Sequence, residues 1–177
     1  MHAVGATFCT RAFIFDAGHR VVGHKGKCRH LHGHTYKAEV TCVAPFTDKL
    51  GMVIDFSEIK SRVGGWIEQV LDHNLVLNPR DPFFAAPLTV QHSLHGRIPF
   101  VMPADFPNPT AENIARVILE KACEILAPVG IVCNVVKLWE TPSCHAEYYH
   151  PGWLSGELAS KFVVKEIQNA PAPAPAG

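Results

Sequence analysis

Alternating apolar and polar residues predict strands near both ends of the chain. In residues 35–43, "TYKAEVTCV", apolar side chains alternate with lysine, glutamate and threonine, which is the two-residue period of a strand with one buried face. An earlier strand is predicted over residues 6–15, and two more over residues 131–140 and 144–150. The predicted sheet therefore draws on both halves of the chain.

Apolar residues at helical spacing predict two helices between these two pairs of strands. The first follows "GMVIDF", where Asp55 and Glu58 are spaced as in a capping box, and it continues through the helix-weakening pair Gly64–Gly65. The second begins after Thr110, a residue type that is favoured at helix N-caps. The order strand, strand, helix, helix, strand, strand predicts an α+β fold with an antiparallel sheet covered by helices on one face.

The length of 177 residues fits one globular domain, which we expect over residues 1–168. A proline-rich insertion at 79–107 interrupts the pattern, and unpatterned stretches beyond about 12–15 residues are usually lids, binding loops or disordered segments. A C-terminal extension at 151–168 is expected to add a helix, and the Pro/Ala tail at 169–177 is expected to be disordered.

The charge balance argues against two classes of partner. The chain has 16 basic and 16 acidic side chains, so it lacks the positive field that attracts nucleic acid or an anionic membrane. No apolar run approaches the roughly 20 residues of a membrane helix, and the first residues do not resemble a signal peptide. We therefore expect a cytoplasmic protein whose six cysteines, none of them in a CxxC pair, are reduced.

The 11 histidines direct attention to metal or proton chemistry. His32 and His34 stand at the mouth of the strand in "KCRHLHGHTYKAEV", where residues i and i+2 point to the same side. A catalytic zinc ion usually takes three protein ligands and keeps one position open. His19 is the best third candidate, with His24 and His30 weaker. The alternative is a chance pair of surface histidines, because so short a motif has many false matches.

Cys28 lies in a polar segment among basic residues, Lys25, Lys27 and Arg29, which would stabilise a thiolate. It could be a fourth metal ligand or a catalytic base. Three histidine ligands together with the open position that catalysis needs favour the base. An ordinary buried cysteine is the remaining alternative.

Two carboxylates are further candidates. Asp72 and His73 follow the first helix directly and could act as an oriented acid/base pair, or could simply cap the helix end. Glu140 ends a mostly apolar strand, where a carboxylate is costly without a partner. It could anchor a planar N–H donor through two parallel hydrogen bonds, or be a turn residue before Thr141.

Six short motifs, "FDAGH", "CRHLHGH", "GMVIDF", "LDHNLVLN", "PTAEN" and "WET", occur in an order that resembles the 6-pyruvoyl- and 6-carboxy-tetrahydropterin synthase family over roughly residues 7–150. The resemblance implies the tunnelling fold, a four-stranded antiparallel sheet with two helices between its second and third strands. It also implies a homo-oligomer, such as a trimer or hexamer, whose sheets join into a barrel and whose active sites lie at subunit interfaces.

The resemblance also assigns roles to residues. It implies zinc ligands (His19, His32, His34), a catalytic thiol with its acid/base pair (Cys28, Asp72, His73) and pterin-binding residues (Thr110, Glu112, Glu140). Lys27 and its basic neighbours are candidate contacts for a substrate triphosphate by charge alone, although an exposed basic loop is an equal alternative.

The three residues between Cys28 and His32 resemble the bacterial 6-carboxy-tetrahydropterin synthases of the queuosine (7-deazaguanine) pathway rather than the longer spacing of animal pyruvoyl synthases. We therefore expect conversion of 7,8-dihydroneopterin triphosphate to 6-carboxy-5,6,7,8-tetrahydropterin, with release of acetaldehyde and triphosphate. A pyruvoyl synthase, an enzyme acting on sepiapterin or unphosphorylated dihydroneopterin, and a non-catalytic zinc- and pterin-binding protein are the alternatives. The relay residues Cys28, Asp72 and His73 argue against the last. His92 and His95 in the insertion are unassigned.

Overall fold

A computed structural model describes residues 6–44, 46–86 and 97–157. Its strands are β1 (Thr7–His19), β2 (His32–Ala44), β3 (Asn74–Leu77), β4 (Phe100–Val101), β5 (Val132–Thr141) and β6 (Cys144–Tyr149). Its α-helices are α1 (Phe56–Ile59), α2 (Gly65–Val70), α3 (Ala111–Leu126) and α4 (Pro151–Leu154). The predicted order holds for the four long strands and the two helical regions between them, but β3 and β4 lie between those helical regions.

One mixed sheet of six strands organises these elements, in the order β4-β3-β1-β2-β5-β6. Strands β1, β2, β5 and β6 pair antiparallel, as expected. The predicted count of four strands is too low, because β3 runs parallel to β1 and β4 runs parallel to β3. Strands of four and two residues are too short to display an alternating pattern, so the sequence gives no sign of them.

Strands β1 and β2 are longer than their patterns indicated. Their pairing continues to His19 opposite His32, beyond the predicted end of the first strand at Phe15. The alternation of apolar and polar residues is lost there because Gly18 faces Gly33 in the same register. The extra length brings the ends of both strands together at one point of the sheet.

The predicted first helix is divided. A π-helical turn, Lys60–Gly64, separates α1 from α2. A Cβ atom at Gly64 would lie 2.8 Å from the Phe13 ring, so glycine permits close packing of this turn on β1. Asp55 caps α1 by accepting from the Ser57 amide rather than through a capping box, since Glu58 instead pairs with Arg62.

The core lies between the sheet and the helices. The inward side chains of β2 are buried, and the apolar face of α3 joins the same core, packing mainly against β5 and β6. Thr110 caps α3 by accepting from the Asn113 amide, as its sequence position predicted. The core therefore fixes the start of α3 beside the ends of β1 and β2.

The described parts of the insertion and the extension are short. In the insertion, Pro82–Ala85 forms a 3-10 turn and strand β4 joins the sheet, while His92 and His95 lie outside the described residues. The described part of the C-terminal extension, residues 151–157, contains helix α4. The rest of the extension and the predicted disordered tail lie outside the described residues. Across the described ranges, every helix is too short or too polar to cross a membrane.

Candidate functional site

Three histidines meet where β1 ends and β2 begins. His19 is paired with His32, and His34 lies two residues further along β2 on the same side. One nitrogen of each ring lies within 4.8 Å of the others. We call this group the histidine cluster. The weaker candidates His24 and His30 lie outside it.

Hydrogen bonds to backbone carbonyls orient two of the rings. His19 Nδ1 donates to the carbonyl oxygen of Pro109 at 2.6 Å, and His32 Nδ1 donates to that of His30 at 2.8 Å. Because a carbonyl oxygen only accepts, Nδ1 carries the proton in each ring and Nε2 is the available ligand atom.

The free nitrogens fit a metal ion. His19 Nε2 and His34 Nε2 are buried and have no hydrogen-bond partner within the described part of the chain. Burial also lowers the pKa of His19, which is only 1% exposed, and so favours the neutral imidazole that binds a metal. A set of three imidazoles suits zinc and other divalent transition metals. The histidine cluster can therefore bind a metal ion.

A cavity of about 320 Å³ opens beside the histidine cluster. Five of the predicted site residues line it: His19, Cys28, Thr110, Glu112 and Glu140. The Glu140 carboxylate lies 3.4 Å from His19 Nε2 and 3.8 Å from His34 Nε2. The structure thus brings together a candidate base, a candidate anchoring carboxylate and a candidate metal ligand. We call this space the Cys28 cavity.

The basic residues near Cys28 in the sequence are not part of the lining of this cavity. Lys25, Lys27 and Arg29 are exposed and do not line the Cys28 cavity. Three other residues that the sequence reading did not assign to this cavity, His24, Cys144 and His145, do line it. The triphosphate contacts that charge suggested therefore lie outside the lining of the Cys28 cavity.

Asp72 and His73 contact each other on the turn after α2. One Asp72 oxygen accepts from the Asp16 amide at 2.8 Å, and the other lies 2.9 Å from His73 Nδ1. His73 has a left-handed backbone, φ 52°, and its amide donates to the Asp16 carbonyl at 2.6 Å. Burial raises the pKa of Asp72, but its hydrogen bonds with the Asp16 amide and His73 lower it more, to below the usual range. The carboxylate is therefore charged and orients the imidazole.

This acid/base turn, Asp72 and His73, does not line the Cys28 cavity. His73 lines a separate cavity of about 620 Å³, whose wall includes Asp16, His34 and Arg97. Its side chain is 70% exposed. Within the described residues of one chain, the acid/base turn is thus apart from Cys28.

Several contacts near the site were not anticipated. Arg97, in the insertion, donates to the backbone carbonyls of Glu68, Gln69 and His73. Arg20, next to His19, forms an ion pair with buried Asp81. The side chain of Asn108 bonds both backbone groups of Val22. Arg20 and Asn108 stand directly beside the motifs "FDAGH" and "PTAEN", which was the available signal, whereas Arg97 lies within the insertion and had none.

The sequence is similar to a family of known proteins. The family model "6-pyruvoyl tetrahydropterin synthase" matches residues 8–151. A Rickettsia typhi protein named 6-carboxy-5,6,7,8-tetrahydropterin synthase is 43% identical over 143 residues, which cover 78% of this chain and 97% of that protein. A protein of the same name from Haemophilus influenzae is 35% identical over 145 residues, which cover 78% of this chain and 96% of that protein.

Solved structures share the fold. An uncharacterized Wolinella succinogenes protein gives a TM-score of 0.67 at 27% identity, with 82% of this chain and 98% of that chain covered. The Caenorhabditis elegans 6-pyruvoyl tetrahydropterin synthase gives 0.58 at 23% identity, with 85% and 99% covered, and supports the fold alone. The chain therefore belongs to the 6-pyruvoyl tetrahydropterin synthase family of lyases, and it is similar to bacterial members named 6-carboxy-5,6,7,8-tetrahydropterin synthase.

Proposed function

We propose that the chain converts 7,8-dihydroneopterin triphosphate into 6-carboxy-5,6,7,8-tetrahydropterin, acetaldehyde and triphosphate. The observation that carries this proposal is the Cys28 cavity, in which a thiol, a carboxylate and a metal-binding histidine face one space. The names of relatives at 35–43% identity support this product. With one water molecule consumed, the atoms of the reaction balance.

Glu140 is proposed to anchor the pterin. Its carboxylate stands at the end of β5 beside the histidine cluster, and it can accept two parallel N–H bonds from the 2-amino-pyrimidine edge. Thr110 and Glu112, at the start of α3, line the same space and are proposed to contact the ring. This placement directs the substrate side chain toward His19 and Cys28. Lys27, which is exposed and next to Cys28 in the sequence, is proposed to meet the triphosphate.

Cys28 is proposed to transfer the proton at the substrate side chain. A positioned thiol within the cavity can take a proton from carbon and return it elsewhere, as general acid/base catalysis requires. Cys144, on β6, lines the same cavity. We assign the role to Cys28 because it lies on the loop that leads into the histidine cluster, between His19 and His32.

We propose that the histidine cluster holds zinc through His19, His32 and His34. When bound, zinc supplies a Lewis acid that lowers the pKa of groups next to a coordinated oxygen. Three protein ligands leave a position open for substrate, as in catalytic rather than structural sites.

We propose that the active site is completed between subunits of a homo-oligomer. The exposed imidazole of His73 and its separate cavity support this arrangement. The acid/base turn of one chain would then serve the Cys28 cavity of another. Each chain would then contribute its Cys28 cavity to one site and its acid/base turn to another.

The test is product analysis. The metal-loaded protein is incubated anaerobically with 7,8-dihydroneopterin triphosphate, with mass spectrometry for the pterin and a separate assay for acetaldehyde. We expect the carboxy product with acetaldehyde. A pyruvoyl product without acetaldehyde would move the chain to the biopterin-type reaction, which the family model's description favours. Retained metal without turnover would support the non-catalytic alternative.

We also propose a place in cytoplasmic 7-deazaguanine (queuosine) biosynthesis, which would follow from the product that the names of the bacterial relatives state. Deletion of the gene should then remove queuosine from transfer RNA. Unchanged queuosine in the deletion strain would contradict this placement.

A further inference from the structure

The side chain of Asn108 lies at the junction of the pieces that form the Cys28 cavity. Its Oδ1 accepts from the Val22 amide at 3.2 Å, and its Nδ2 donates to the Val22 carbonyl at 3.1 Å. The same Oδ1 also accepts from Asn78 Nδ2 at 2.7 Å. A side-chain amide thus pairs with one backbone residue through both of its groups, as a neighbouring strand would.

Val22 belongs to the loop that carries Cys28. The amide of the preceding residue, Val21, donates to the Cys28 carbonyl at 2.8 Å, which closes the loop between them. The His24 amide donates to the Val21 carbonyl at 3.2 Å. Asn108 is therefore linked to Cys28 through the backbone of Val22 and Val21.

The backbone beside Asn108 holds the other half of the cavity. The Pro109 carbonyl accepts from His19 Nδ1 at 2.6 Å, and Thr110 caps α3. The Asn108 carbonyl itself accepts from Asn113 Nδ2 at 2.9 Å and from the Thr110 amide at 2.9 Å, so its contact with the start of α3 does not depend on Asn113 alone. One short segment therefore positions His19 through its backbone and the Cys28 loop through its side chain.

We infer that Asn108 is a positioning residue for Cys28, which the proposed reaction needs at a fixed distance from the substrate. The inference rests on the proposed function only for the role of Cys28 in turnover. Asparagine is required chemically, because one amide supplies both an acceptor for Val22 N–H and a donor for Val22 C=O. Aspartate has nearly the same shape but would place a second acceptor against that carbonyl.

The test compares Asn108→Asp with Asn113→Ala in the metal-loaded full chain. Asn113→Ala removes the bond to the Asn108 carbonyl at the same helix end and leaves the Val22 pairing intact. For Asn108→Asp we expect kcat to fall about tenfold or more, since small misplacements of reacting groups have large effects. The KM is expected to stay within about twofold, because Glu140 anchors the pterin independently.

A second measurement follows the loop without any substrate. The alkylation rates of Cys28 and Cys144 by iodoacetamide are compared by peptide mass spectrometry. Cys144 lines the same cavity from β6 and is an internal reference. We expect the ratio of the Cys28 to the Cys144 rate to change about fivefold or more in Asn108→Asp, and to stay near the wild-type value in Asn113→Ala.

The two measurements separate the inference from the proposed function. If the wild-type protein shows no turnover on the pterin, a changed labelling ratio in Asn108→Asp would still support the positioning role while the proposed reaction is contradicted. An unchanged ratio, equal to that of Asn113→Ala, would overturn the inference whatever the activity. Circular dichroism checks folding, and Asn108→Ala, which introduces no charge, carries the same test if Asn108→Asp does not fold.

Discussion

The histidine cluster, where β1 ends and β2 begins, and the acid/base turn, which follows α2, are built differently. His19 in the cluster is 1% exposed and its ring is oriented by a backbone carbonyl. His73 in the turn is oriented by Asp72, but its side chain is 70% exposed. A set of one buried and two half-buried histidines can bind an ion within one chain, whereas an exposed, oriented imidazole is suited to act on something outside its own chain.

The largest expected effect tests the buried side of this comparison. His34→Ala should abolish stoichiometric metal binding, with affinity reduced by more than about 100-fold, because a direct ligand contributes more than the orienting contacts around it. Metal content is measured by mass spectrometry after gel filtration. His30→Ala is the matched control, since its carbonyl to His32 Nδ1 remains. Full metal content in His34→Ala would remove this residue from the site.

Mixed oligomers test whether the two regions act across chains. Cys28→Ala and His73→Ala should each lower turnover by about 10²–10⁴-fold, as loss of an acid/base group does. When the two variants are refolded together, random mixing should leave about a quarter of the sites with both residues intact if these come from different subunits. The measurement is activity before and after mixing.

Each variant refolded with itself is the control for this mixing experiment. Recovery toward a quarter of wild-type activity would establish a shared site. Activity that stays at the level of the separate variants would place Cys28 and His73 in one chain, against the arrangement proposed above.

Glu140→Gln sharpens the description of the Cys28 cavity. A neutral amide loses one of two parallel N–H contacts and the charge, so pterin affinity should fall about 10–100-fold while metal content remains. Affinity is measured by fluorescence titration with a pterin. The same change at Glu147 on β6, which does not line the cavity, is the control. Equal affinities in the two variants would exclude Glu140 as the anchor.

The smallest expected effect concerns the ion pair by which Asp81, in the insertion, is attached to Arg20. Burial raises the pKa of Asp81, but Arg20 and the Phe83 amide lower it more, to below the usual range. The ionised form therefore stabilises the fold above the ordinary aspartate pKa, and this stabilisation is lost as pH falls through the lower folded-state pKa. Asp81→Asn should reduce the free energy of unfolding by about 1–3 kcal/mol at pH 7 and by less near pH 3.

Urea denaturation at the two pH values measures this difference. Asp105→Asn is the control, since that insertion carboxylate is 66% exposed and its contact with Arg116 is worth about 1 kcal/mol or less. A deficit in Asp81→Asn that stays constant with pH would show that the charge of Asp81 does not stabilise the attachment.

The sequence predicted the elements whose pattern of apolar and polar residues repeats over many positions. The four long strands and the Thr110-capped helix were visible because alternation and helical spacing persist over many residues. Strands β3 and β4 were not, since two to four residues carry no period. The π-helical turn depends on how Gly64 meets Phe13, a tertiary contact without a local signature.

The candidate site divides in the same way. His19, His32 and His34 could be selected because strand geometry places i and i+2 on one side, and the register of β1 with β2 does the rest. The separation of His73 from Cys28 could not be foreseen, because it depends on where α2 ends relative to the sheet. The double contact of Asn108 with Val22 likewise joins residues that are far apart in sequence.

The orientation of the rings in the histidine cluster has a consequence for mutational tolerance. The groups that fix the His19 and His32 tautomers are the carbonyl oxygens of Pro109 and His30, and every amino acid possesses a carbonyl oxygen. Where another protein orients its histidines with a carboxylate, one base change can remove the orienting group. Here a substitution at position 30 changes the side chain but keeps the backbone carbonyl oxygen that orients His32.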